Sequence, residues 1–570
     1  MAEVIIMPKL GFNMSEGKLV EWYKKEGDSV KKGEPLFSVE TDKTNMDIEA
    51  TGDGVVRKLL IQAGDTLPVT MPMAVVGAAD ENIDSVLAEA VKSLRGGSAA
   101  ECASGGGPGT AARSFDYDII VVGGGPGGYV AAIKAAQLGR AVAIVEEERF
   151  GGTCLNAGCI PTKALLRSAE ALKEVRESAN FGVTGVNVSG ARLDMVSVQK
   201  RKQDVIDQLV GGVNGLLRRN GVTVVSGRGV VKDAHTVEAA GKIMTAAHLI
   251  LATGSAAKRL PIPTDPAAAV LTSAELLQLD SLPESMTVIG GGVVGIEFAY
   301  FLASVGTKVT VVEFLDRILP MVDEEITEQV EKQLRDMGIE IHTTAKVTEI
   351  TASGVAFEKN GERFCAEADK VLMAVGRSPR LEGIDCGALG LRTERGAIVT
   401  DETMRTSVEN IYAIGDVNGK AMLAHAASME GIVAVENICG RSSVMDYGKV
   451  PSAVYLQPEI ACVGLTERQA REKYGEIKVG RFPLMANGKA KVAGEERGMV
   501  KVISETRYGE IVGVHLYCIH ATDMIAEAVA AMKLEATAEE IAMSIHPHPT
   551  VSEAVHEAMH ALTDGRAIHF

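Results

Sequence analysis

Short apolar runs separated by polar turns open the chain. Val4-Ile5-Ile6, Leu36-Phe37-Ser38-Val39, Val55-Val56 and Ala74-Val75-Val76 are bounded by Gly-Asp and Gly-Glu turns, which predicts a small all-β unit over residues 1–77. Glu26-Gly27-Asp28-Ser29 through Pro35-Leu36 is echoed by Ala63-Gly64-Asp65-Thr66 through Pro72-Met73, so the unit reads as two facing sheets related by pseudo-symmetry. Midway lies the polar stretch Glu40-Thr41-Asp42-Lys43-Thr44-Asn45, which predicts Lys43 exposed on a hairpin. Residues 78–113, rich in Ser, Gly and Ala, carry too little apolar surface to pack. They read as a flexible linker able to span ~100 Å when stretched, with a short helix near Asp84–Leu94.

The pattern then changes to continuous apolar strands leading into glycine-rich turns and alanine-rich helices. Tyr117–Val122 runs into Gly123-x-Gly125-x-x-Gly128, a helix follows through Leu138, and a second strand, Ala141–Val145, ends at Glu146. This is a βαβ dinucleotide fingerprint: glycines admit the pyrophosphate to the backbone, the helix N-terminus faces the anion, and the acid takes the ribose hydroxyls. A second copy has Gly290, Gly292 and Gly295, with its acid, Glu313, at the same offset. Two such sites suggest a tightly held flavin and a diffusible nicotinamide. Glu313 repels a 2′-phosphate and no arginine adjoins it in the sequence, so the second site is expected to take NAD.

Two further strands end in small-residue turns, at Thr253-Gly254-Ser255 and at Gly415-Asp416. Asp416 stands where a helix is expected to begin, facing polar atoms of a cofactor or capping that helix. Ala374-Val375-Gly376-Arg377 reads as the turn where the chain leaves the NAD domain. The expected order is FAD-binding over 114–262, NAD-binding over 263–384, a second FAD or central segment over 385–449, and a C-terminal domain over 450–570 with an antiparallel sheet. The fold class is thus α/β, with two Rossmann-like domains and an α+β interface domain behind a small all-β unit.

Composition narrows the function. A net charge of −17 over 570 residues argues against nucleic acid and anionic membrane as partners. No apolar run is long enough to span a bilayer, and the start MAEVIIMPKLG lacks the regions of a signal peptide, so a cytoplasmic chain is expected. The eight cysteines are scattered except for Cys154 and Cys159, and no metal site is expected. On a regular helix five positions rise by about 7.5 Å, more than the ~4.4–6.8 Å between Cα atoms that a disulfide tolerates. A bridge there requires a distorted helical start, which Gly151, Gly152 and Gly158 permit; two unrelated buried thiols are the alternative. Near the C-terminus, Pro547 and Pro549 hold His548 in an extended corner. Thr550-Val551-Ser552-Glu553 fits a capping box, which competes with a reading in which Glu553 orients His548, since one carboxylate does not easily serve both.

Met7-Pro8-Lys9-Leu10-Gly11, the Gly-Asp turns and Glu40-Thr41-Asp42-Lys43 resemble lipoyl domains, which implies lipoate in amide linkage on Lys43. Gly-Gly-Thr-Cys-Leu-Asn-x-Gly-Cys-Ile-Pro-x-Lys at 151–163, both βαβ fingerprints and His-x-His-Pro-Thr-x-x-Glu at 546–553 resemble the flavin-dependent pyridine nucleotide–disulfide oxidoreductases. The nearest branch oxidises dihydrolipoamide with NAD⁺. That resemblance implies Cys154 as interchange thiol, Cys159 as the thiol against FAD, Lys163 near the flavin and Glu297 near the nicotinamide. It also implies Asp416 on the flavin ribityl chain and His548 with Glu553 as a base and its partner, supplied across a homodimer. The implied partners are the lipoyl domains and acyltransferase core of a multienzyme complex. Glutathione reductases want basic residues at the second nucleotide site and mercuric reductases a C-terminal cysteine pair; the chain has neither. A lipoyl carrier or assembly protein is the rival from a different class.

Overall fold

The computed structural model describes residues 3–8, 16–40, 45–68, 71–78, 81, 83, 86, 87, 115–186 and 188–570. The chain divides into two compact units, Met1–Ala112 and Arg113–Phe570.

In the first unit the described strands are β1 (Glu3–Ile6), β2 (Glu16–Trp22), β3 (Ser29–Val30), β4 (Pro35–Glu40), β5 (Asn45–Glu49), β6 (Gly54–Leu59), β7 (Thr66–Pro68) and β8 (Pro72–Gly77). They form two four-stranded sheets, β1-β8-β6-β3 and β5-β4-β2-β7. Met7, Leu19, Leu36, Phe37, Val39, Val56 and Met73 fill the core. The repeat is exact in its turns. Asp28 accepts from the Lys25 N–H at 2.8 Å, and Asp65 accepts from the Gln62 N–H at 2.7 Å. The adjoining Gly27 and Gly64 take φ of 95° and 98°, the left-handed region where a side chain is disfavoured. The hairpin expected at Thr41–Thr44, with Lys43, lies outside the described residues. So does most of the helix expected near 84–94, although the Leu87 N–H donates to the Ile83 carbonyl at 2.7 Å.

The second unit begins with β9 (Tyr117–Val122), α1 (Pro126–Gln137) and β10 (Val142–Glu146), followed by α2 (Gly152–Ala157), α3 (Cys159–Glu177) and α4 (Met195–Arg219). β11 (Thr223–Ser226), β10, β9 and β12 (Lys242–Leu251) pair in parallel, and β12 continues the sheet to Ile411–Ala413. The second βαβ copy is β13 (Ser285–Ile289), α5 (Val293–Ser304) and β14 (Lys308–Val312), inside a parallel five-stranded sheet. The C-terminal sheet is antiparallel throughout, as expected. In both nucleotide sheets one face packs on helices and the other on antiparallel strands, Val122 and Val145 against Val231 and Val237 in the first and Ile289 and Met373 against Ile350 and Val355 in the second. The strands are thus covered on both faces and read as unbroken Val/Ile runs.

A buried ion cluster joins Asp323 and Glu325 to the C-terminal sheet. α6 (Glu324–Asp336) is capped by Asp323, which is 2% exposed. The Lys501 ammonium, equally buried, lies 2.7 Å from Asp323, 2.8 Å from Glu467 and 3.0 Å from Glu325. Burial alone pushes the lysine pKa down, but these three carboxylates outweigh it and hold the pKa above its ordinary value. Removing a partner from such a pair strands charge in a medium that cannot solvate it. Lys501→Met is therefore expected to lower unfolding free energy by about 3–5 kcal/mol, measured by urea denaturation of the flavin-loaded protein.

Candidate active site

The glycines of each βαβ copy divide into two roles. A Cβ on Gly123 would stand 2.2 Å from the Ala252 carbonyl oxygen, and one on Gly128 would stand 1.9 Å from that of Gly123. Gly290 and Gly295 repeat this, with 2.5 Å to Ala374 and 2.1 Å to Gly290. These four are glycine because backbone packs against backbone. At Gly125 and Gly292, by contrast, a Cβ would meet nothing within 4 Å. Each of the latter caps a helix N-terminus whose first N–H groups have no side-chain acceptor. The open space at a helix start is what a pyrophosphate requires, so both copies fit dinucleotides. The acids also match: Glu146 accepts from the Gly124 N–H at 2.6 Å and Glu313 from the Gly291 N–H at 2.5 Å. Gly254 and Gly376 have φ of 74° and 98° and face open space. Thr253 donates to the Arg380 carbonyl at 2.6 Å.

The cysteine segment rests directly on the first cradle. The Gly151 N–H donates to the Gly124 carbonyl at 2.8 Å, and a Cβ on Gly152 would stand 2.8 Å from the Gly125 Cα. α2 carries Cys154 and stops at Gly158, whose φ of −147° and ψ of −111° break the helix before Cys159 starts α3. This break is the distortion the sequence required. It brings the sulfurs into hydrogen-bonding contact as a free dithiol, with Cys154 the donor. That hydrogen bond and the nearby Lys163 ammonium draw the Cys159 pKa down to about 7, against burial and the Glu297 charge. The same contact and burial push Cys154 up.

Lys163 and Glu297, which the sequence assigned to separate cofactors, form one ion pair, with Nζ 2.8 Å from Oε2 and 3.0 Å from Oε1. Asp416 lies in a 3₁₀ turn, Gly415–Asn418, and the next helix starts only at Ala424, so it does not cap that helix. It accepts a hydrogen bond from Ser255 and pairs with Arg377 at 3.7 Å. Glu430, fully buried, fixes this turn by accepting from the Gly415 N–H at 2.5 Å and from Asn418 at 2.9 Å. Arg377, Glu430 and Tyr455 were not singled out in the sequence. A glutamate on the inward face of an alanine-rich helix was the signal for Glu430; Tyr455 had none nearby.

The competition expected at Glu553 does not arise. One carboxylate oxygen accepts from the Thr550 N–H at 2.8 Å while the other lies 2.8 Å from His548 Nδ1. The capping box itself is absent, because the helix starts at Glu553 and Thr550 Oγ1 turns away to the Pro547 carbonyl. The two acceptors are geometrically separate, so both roles fit one side chain. Burial works to raise the Glu553 pKa, but its two partners hold it below the ordinary value. An ionised carboxylate only accepts, so His548 Nδ1 is the donor, and in the neutral imidazole Nε2 keeps the lone pair. The His548 side chain is 79% exposed, and among the described residues no hydrogen bond or ion pair joins it to either cysteine.

A two-sulfur pair resting on one dinucleotide cradle, with a second cradle reached through a lysine–glutamate pair, defines a flavin- and nicotinamide-linked disulfide oxidoreductase. Residues 117–431 match the pyridine nucleotide-disulphide oxidoreductase family and 450–559 its dimerisation domain, and the chain belongs to this family, which works with FAD and NAD(H). Residues 3–76 match the biotin-requiring enzyme family, which supports lipoate attachment. Among relatives, the dihydrolipoyl dehydrogenase of Bacillus subtilis is 44% identical over 475 residues, covering 80% of this chain and 99% of its own. That of Rhizobium etli is 43% identical over 469 residues, covering 78% and 97%. The crystal structure of LpdA from Mycobacterium tuberculosis aligns with a TM-score of 0.72 at 26% identity, covering 78% of this chain and 99% of that one. No described helix is long and apolar enough to cross a membrane.

The two glycine roles separate experimentally. Gly125→Ala should leave apoprotein stability within about 0.5 kcal/mol of the parent yet lower flavin content on purification. Gly292→Ala should keep its flavin and raise the KM for NAD⁺. The lowered Cys159 pKa means thiolate is present above about pH 7 and lost below it. Ultraviolet thiolate absorbance of the reduced protein should rise with that midpoint, and Lys163→Met should move it upward by about one unit.

Proposed function

We propose that this protein oxidises protein-bound dihydrolipoamide to lipoamide and passes the electron pair to NAD⁺. The observation that carries this reading is the paired Cys154 and Cys159 sulfurs seated on the Gly125 cradle, with the Lys163 ammonium favouring thiolate at Cys159. Bound FAD supplies the two-electron chemistry that links the protein dithiol to the nicotinamide. Gly123, Gly125, Gly128, Glu146, Thr253, Gly254 and Asp416 would hold it, while Gly290, Gly292, Gly295, Glu313 and Gly376 would hold NAD.

His548 Nε2 takes a proton from one substrate thiol, because only the thiolate attacks a disulfide. That thiolate attacks Cys154 of the oxidised pair and releases Cys159 as thiolate beside Lys163. The second substrate thiol then gives its proton to the departing Cys154 sulfur and displaces it as a thiol, so the product is the cyclic disulfide while the first proton stays on His548. His548 stands in the dimerisation segment and is highly exposed, which supports its reaching the cysteines of a second copy. Lys43 carries lipoate, so the chain brings its own swinging dithiol to a multienzyme complex with an acyltransferase core. Scattered free thiols fit a reducing, cytoplasmic setting.

His548→Gln should keep its flavin and lose about 10²–10⁴-fold of dihydrolipoamide-dependent NADH formation; undiminished turnover overturns the base assignment. Mass spectrometry should find a lipoyl adduct on the Lys43 peptide of protein from lipoate-replete cells, and none in Lys43→Arg.

A further inference from the structure

The Lys163 ammonium is enclosed by more than its carboxylate. It stands 4.3 Å from the centroid of the Tyr455 ring, over the face. The backbone N–H of the same tyrosine donates to Glu297 Oε1 at 2.9 Å. One residue thus grips both members of the ion pair, the cation through the negative face of its ring and the anion through its main chain. The grip comes from a different part of the chain: Tyr455 directly follows the strand Ser452–Val454 at the edge of the C-terminal sheet, whereas Lys163 lies on α3 and Glu297 on α5.

The ring is half-buried, and Thr522 beside it is anchored by Glu459, which accepts from its N–H at 2.9 Å and from its hydroxyl at 2.8 Å. The Glu297 carboxylate is 4% exposed, so it has no solvent route by which to release its partner. The Lys163 side chain is less enclosed, at 29% exposed. A lysine stem has four rotatable bonds, so its ammonium is free to swing away from the carboxylate. The ring face opposes that swing.

We propose that Tyr455 is a positioning residue for the redox thiols: its ring and its N–H together hold the Lys163–Glu297 pair so that the ammonium stays beside Cys159. This rests on the reading of Cys154 and Cys159 as the redox pair. The charged and titratable groups acting on Cys159 are Cys154 and Lys163, which favour its thiolate, and Glu297, which opposes it; Arg377 and Tyr455 also interact with it. Tyr455 sets which of the opposed pair dominates, because loosening the ammonium leaves the buried carboxylate in place.

The test titrates thiolate absorbance of the flavin-loaded Cys154→Ser protein, with the Cys154→Ser/Cys159→Ser protein subtracted so that only Cys159 is read. Adding Tyr455→Leu should raise the midpoint by roughly half a unit to one unit. Adding Tyr455→Phe, which keeps the ring face and loses only the hydroxyl, should leave the midpoint where it was. Tyr455→Met, close in volume but without a ring, should follow Tyr455→Leu and serves if the leucine variant does not fold. An unmoved midpoint in both ringless variants, or an equal shift in the phenylalanine variant, overturns the proposal. A Cys154→Ser reference that titrates at the ordinary thiol value of ~8.5 instead overturns the underlying reading of the site.

Discussion

Two sulfurs five residues apart cannot meet on an unbroken helix, and the chemistry of this protein depends on their meeting. Gly158 supplies the interruption, and Gly151 and Gly152 let the segment lie against the first nucleotide turn. At each of these points the limiting factor is the space a single Cβ would take. The thiols sit beside the cofactor cradle because backbone there touches backbone, a distance that packed side chains cannot reach.

The asymmetry of the two thiols follows from the same geometry. Once Cys154 donates to Cys159, a negative charge on Cys159 is favoured and one on Cys154 is disfavoured. Lys163 strengthens the difference from the next turn of α3. The division of labour proposed for the two sulfurs, attack site and electron donor, matches which thiol precedes the break and which starts a helix. Helix starts favour negative charge, so this order and not its reverse suits a thiolate at Cys159.

Much of this was legible because the relevant constraints are local. Both βαβ copies announce themselves through glycine spacing and a strand-end acid, and the cysteine segment through glycines that a regular helix would not tolerate. What escaped was long-range. Lys163 and Glu297 are far apart in sequence and were read as belonging to different cofactors, yet their side chains pair. Tyr455 joins them from a third segment that carries no motif of its own. At Glu553 the error was in counting: a carboxylate was treated as a single acceptor, whereas its two oxygens point to different neighbours. The Gly415-Asp416 turn looked like a helix start because a 3₁₀ turn and an N-cap use the same residue types.

Glu553 has a consequence for how such an enzyme can diverge. Its carboxylate both anchors the backbone just ahead of α7 (Glu553–Thr563) and dictates which imidazole nitrogen of His548 bears hydrogen. Under the role proposed for His548, folding and proton transfer share one side chain. An amide there would preserve the shape while losing the negative charge that stabilises the charged imidazole. Lineages seeking a different working pH would have to leave this position alone and alter the surroundings of the exposed nitrogen.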